Sequence, residues 1–109
     1  MRIYYKECFI EDIYHFDALD VLEGLKIGDT VCLFYADENP CYKERIMVKT
    51  SENEEKILGA LSIEDSKSML PFLRNNWKGL FSAQICFADK TKKGENNRIE
   101  IVIYINENK

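Results

Sequence analysis

His15, the single histidine, lies between Tyr14 and Phe16, and four cysteines, Cys8, Cys32, Cys41 and Cys86, are spread over 109 residues. These are the residue types from which metal, nucleophilic and acid–base chemistry is built. A metal knuckle needs ligands paired at short spacing, yet the chain has no C-x-x-C and no cysteine close to His15. The sequence therefore predicts no metal and no cofactor. Cys8, Cys32 and Cys86 fall in apolar segments, where reduced thiols pack as small hydrophobes. No nucleophile sits in a motif that would present it to His15. The five glycines, Gly24, Gly28, Gly59, Gly79 and Gly94, never assemble into a phosphate-cradling run. Carboxylate pairs such as Asp17 with Asp20 are read as solvated surface, and Glu64 with Asp65 as helix capping. The chain is not expected to be an enzyme.

Binding chemistry is better provided for. Tyr14, His15 and Phe16 form one aromatic cluster, Tyr42 stands beside Lys43 and Arg45, and Trp77 follows a predicted helix. Aromatic rings next to cations stack bases while the cations hold phosphates, each stacked base contributing ~1–3 kcal/mol. An alternative reading puts Phe16 and Trp77 in the core and the tyrosines on amphipathic sheet surface. Lys90, Lys92, Lys93 and Arg98 form a second basic patch, readable equally as a solvated hairpin tip. The net charge of −4 is uneven, with 7 Lys and Arg against 13 Asp and Glu in residues 1–63 and 8 against 6 in residues 64–109. Any phosphate-binding surface must then be local.

Positioning these residues is the task of one domain, the amount of core that 46% hydrophobic and 31% charged residues in a chain of this length support. Arg2 to Ile10 reads as a strand, and Tyr14 to Leu25 as a loop entering a short helical turn, with Phe16, Leu19, Val21, Leu22 and Leu25 against the core. A turn with Gly28 at positive φ feeds the strand Thr30 to Tyr35, and a loop containing Asn39 and Pro40 spans residues 37–44. Strands Arg45 to Thr50 and Lys56 to Leu61 form a hairpin across residues 51–55. Ser62 is a helix N-cap, and the helix over 63–75 should break near Met69 and Leu70 because of Pro71, with Ile63, Leu70 and Leu73 buried. Strands Leu80 to Ala88 and Ile99 to Ile105 close the chain. The fold class is β-rich α+β, a small antiparallel barrel of about six strands with one or two helices.

The run Gly28-Asp29-Thr30-Val31-Cys32-Leu33, the loop and strand from Glu38-Asn39-Pro40 to Ile46-Met47-Val48, and Ile57-Leu58-Gly59-Ala60-Leu61 together resemble the HIRAN domain family over nearly the whole chain. Asn39, Pro40, Ile46, Val48, Gly59 and Leu61 keep its pattern. The resemblance implies an OB-like barrel, found fused to DNA translocases and also free-standing, that grips the 3′ end of single-stranded DNA. In the family, aromatics stack the last bases and a carboxylate meets the terminal hydroxyl. Here the loop aromatic falls on Cys41, the acid falls on Tyr42, and the early basic and aromatic pair falls on Tyr14 and His15. The missing acid counts against 3′-end recognition. The expectation is a binding module for single-stranded DNA using Tyr14, His15, Asn39, Tyr42, Lys43 and Arg45. The alternative is a protein-interaction or accessory domain that has lost nucleic-acid binding.

The start of the chain mixes charge and aromatics, unlike a secretory signal, and the longest apolar run, Val31 to Ala36, is far short of the ~20 residues that span a bilayer. A cytoplasmic, non-membrane protein is expected.

Overall fold

The computed structural model describes residues 2–36, 40–50, 56–75, 77–89 and 98–106, with Leu19 and Lys78 described by backbone alone. Six strands form the framework: β1 (Arg2–Phe9), β2 (Thr30–Phe34), β3 (Met47–Lys49), β4 (Ile57–Ala60), β5 (Phe81–Ala88) and β6 (Ile99–Asn106). Three one-turn helices accompany them, α1 (Ala18–Val21), α2 (Ile63–Ser66) and α3 (Leu70–Arg74). The strands run in the order β1-β6-β5-β2-β3-β4, and every neighbouring pair is antiparallel.

The sheet closes on itself just past β1. Glu11 bridges to Ala60 at the end of β4, with Glu11 N–H donating to the Ala60 carbonyl at 2.7 Å and Ala60 N–H returning to Glu11 at 3.0 Å. This closure makes the sheet a small barrel-like α+β fold and accounts for Gly59. A Cβ there would lie 2.3 Å from the Glu11 carbonyl oxygen and 2.7 Å from Ile10 Cγ2, at a backbone φ of +156°. Only glycine lets the two strand ends approach so closely.

Inside the barrel, β6 alternates in the period of a half-buried strand, sending Ile99, Ile101 and Ile103 inward. They meet Ala83 and Ile85 of β5, Val31, Val48 and Leu58, Leu70 and Leu73 of α3, and Met69 just before it. Leu22 and Leu25 are buried and Val21 packs against the same core, as expected of the segment around α1. Gly28 takes a φ of +97° in the turn before β2.

The predicted helix over 63–75 is two short helices, because Pro71 occupies the first turn of α3, where its missing N–H is tolerated. Ser62 caps α2 as expected, its hydroxyl accepting the Asp65 N–H at 3.0 Å. The intervening turn resets the helical phase, so Ile63 is 55% exposed instead of buried. Ser66 takes the inward position, and its buried hydroxyl accepts the Ile46 N–H at 2.9 Å. Lys6 of β1 donates to the Asp65 carbonyl at 2.9 Å, and the Tyr5 and Ser68 hydroxyls bond each other, which ties the α2–α3 turn to β1. No helix among the described residues is long and apolar enough to cross a membrane.

Candidate functional site

Two segments singled out in the sequence, around Tyr14 and around Tyr42, meet at the barrel closure. Asp12, with φ 59°, is in the left-handed conformation that a short polar side chain tolerates, and it opens the 3-10 turn Ile13–His15. Its carboxylate accepts the Tyr42 hydroxyl and Arg45 Nη1, both at 3.1 Å. Arg45 also donates from Nη2 to Glu11 at 2.9 Å and from Nε to the Leu61 carbonyl at 2.7 Å. With 15% of its side chain exposed and two carboxylates against it, Arg45 braces the closure. Its charge, expected from the sequence to contact phosphate, is neutralised by Glu11 and Asp12. The Tyr42 ring packs 5.6 Å from Phe16, so Phe16 is half-buried. Burial first, and then the hydrogen bond to Asp12, hold the Tyr42 phenol above its ordinary pKa of 10.0.

Tyr14 and His15 are exposed on the adjoining turn, and Lys43 is exposed on the next. Asn39 lies outside the described residues, as do Lys90, Lys92 and Lys93, while Arg98 lies over the Phe9 ring at 5.6 Å. Thus the fold gathers Tyr14, His15, Tyr42 and Arg45, but around a pair of acids. Asp17, read as solvated surface, instead accepts the Ile57 N–H at 3.0 Å and stitches α1 to β4.

A different surface is better equipped. β2 and β5 pair over only two positions, Thr30 with Gln84 and Val31 with Ala83. Beyond Val31 the strands part, and a groove of about 460 Å³ opens between them over Leu73 of α3. Its walls are the β2 segment from Thr30 to Tyr35, Lys49, Phe81 and Ser82. The Lys49 ammonium stands 5.1 Å from the Phe34 ring centre, and the Arg74 guanidinium 5.3 Å from that of Tyr35. Tyr35 and Arg74 both donate to the Lys43 carbonyl at 2.9 Å, which places the Lys43 turn beside one end of the groove. Among the described residues, no carboxylate lines it.

Sequence reasoning missed this groove, although a signal was present. Residues 66–88, which supply Leu73, Arg74, Phe81 and Ser82, contain three lysines and arginines and no Asp or Glu, in a chain with 19 acids. Trp77, expected in the core on one reading, is 59% exposed at the edge of the same region. Chemically, the arrangement offers ring faces and an apolar floor beside cations, in a cleft lined by no acid among the described residues. It suits an extended ligand that is anionic along its backbone and flat and unsaturated in its side groups.

No family model and no curated protein matches the chain. Among solved structures, it is similar to the crystal structure of a protein from Lactobacillus plantarum determined by a structural genomics consortium. The TM-score is 0.72 at 16% identity, covering 96% of this chain and 95% of that one. That likeness is one of fold.

Proposed function

We propose that this chain is a non-enzymatic module that binds single-stranded nucleic acid in the groove between β2 and β5. The observation that carries the reading is the pairing of Phe34 with Lys49 and of Tyr35 with Arg74 at a cleft whose described lining residues include Phe81 and no carboxylate. Bases stack on such rings in a sequence-tolerant way, and the cations hold the phosphates. The resemblance to HIRAN domains points to the same class of ligand, with the contact surface moved from the Tyr42 loop to the groove. Lys43, beside the Tyr35 end, remains a candidate phosphate contact, and Tyr14 and His15 are left as outlying positions. Tyr42 stands where the family's acid falls and its hydroxyl is engaged by Asp12, so this reading does not include recognition of the 3′ hydroxyl. Free thiols at Cys8, Cys32, Cys41 and Cys86 fit a reducing, cytoplasmic setting.

The second reading, a protein-interaction domain, is favoured by the acids Glu11 and Asp12 that neutralise Arg45. Fluorescence anisotropy separates the two. Labelled single strands ending in a 3′ hydroxyl or a 3′ phosphate should bind alike, and more weakly as salt rises. Lys49→Glu should weaken both, and Lys43→Ala should lower the salt slope by roughly 1. Absence of binding at low salt would make a protein the partner to seek.

A further inference from the structure

The groove does not end at Phe81. That ring stands 6.1 Å from Phe72 of α3 at an interplanar angle of 71°, and Phe72 stands 5.7 Å from Trp77 at 51°. Phe72 is 37% exposed and Trp77 59%, so the chain of rings rises from the groove wall to open surface. An indole left this far in water sacrifices much of the apolar burial that usually fixes a tryptophan. Yet its place is determined. After α3 the backbone folds back, and the Trp77 N–H donates to the Phe72 carbonyl at 2.9 Å, setting the indole against the Phe72 ring.

The charges around it favour the same ligand as the groove. Arg74, on the same helix as Phe72, is exposed and reaches back over Tyr35. Neither α3 nor the segment joining it to β5 contains an acid. Trp77 is also the sole tryptophan of the chain.

We infer that Phe72 and Trp77 form a second stacking station, so that a single strand seated between β2 and β5 continues across α3 and stacks a base on the Trp77 indole. This rests on the groove reading above and extends it to a path with two stations, one enclosed and one at the surface. Short strands fill the groove alone, and longer ones reach Trp77.

The test uses the whole chain and oligothymidylates of about 4 to 16 nucleotides, the range of site sizes for barrels of this kind. Anisotropy reports binding, and emission excited beyond the absorption of the six tyrosines reports Trp77 alone. The expected result is that the longer oligomers quench the tryptophan emission and the shortest do not. Trp77→Ala should weaken the longer oligomers on the order of tenfold while leaving the shortest unchanged, and Trp77→Phe should restore most of the loss. Circular dichroism of the variants confirms that the barrel is intact. Binding that leaves the emission unchanged, or a Trp77→Ala chain that binds long strands as tightly as the parent, overturns the second station while sparing the groove. A chain that binds no oligomer of any length overturns both.

Discussion

Gly59 has no room for a side chain, since a Cβ would press against the Glu11 carbonyl, a backbone atom that cannot swing aside. Gly59→Ala should therefore cost about 2–4 kcal/mol through overpacking and backbone strain, read as a lower urea midpoint. The glycine itself was visible in the sequence as part of a resemblance, but its reason was not, because Glu11 and Gly59 meet only once the barrel closes. Cys8 was legible as a buried thiol. Burial first, and then the nearby Asp65 carboxylate, push its pKa from 9.0 up to about 12, and burial also raises Cys86. Both stay protonated at neutral pH, so the exposed Cys41 should react first with a maleimide and Cys8 only on unfolding. A thiol whose pKa is raised on folding contributes stability below its unfolded pKa and loses it as pH rises through the folded value. Stability should accordingly fall between pH 9 and about 12. The fall should be shallower in Cys8→Ala, measured by urea midpoints across that range.

Elements were read well where the signal is local. The alternation in β6, the turn at Gly28, the Ser62 cap and the break ahead of Pro71 all depend on residues within a few positions of one another. What failed was phase across the break, where Ile63 came out exposed and Ser66 went in. The exchange matters because the Ser66 hydroxyl joins α2 to Ile46, just ahead of β3. Ser66→Ala should leave the buried Ile46 N–H without a partner and cost about 1–3 kcal/mol, seen as a lower thermal midpoint with the β-sheet circular dichroism signal preserved below it. The parting of β2 from β5 was not legible at all. It is decided by pairings between strands some fifty residues apart in the chain, and no local pattern in Thr30–Phe34 distinguishes a strand that leaves its neighbour from one that stays.

For the whole molecule, the antiparallel framework of six strands follows from the sequence, whereas the groove between β2 and β5 does not. Tyr42 and Arg45, read in the sequence as an aromatic beside a cation, are drawn into the closure by Glu11 and Asp12. The groove is lined instead by residues 30–35 with Lys49, Leu73, Phe81 and Ser82, none of them acidic. With a net charge of −4, such a surface attracts a polyanion only locally, so affinity should be modest and strongly dependent on salt. The measurement that bears most directly on this is an amide chemical-shift titration of the isotopically labelled chain with oligothymidylate at low salt. Progressive shifts concentrated at Cys32 to Tyr35, Lys49 and Phe81 to Ser82 are the predicted result. A spectrum that does not change, or shifts confined to Tyr14, His15 and Tyr42, would contradict a strand-binding groove between β2 and β5.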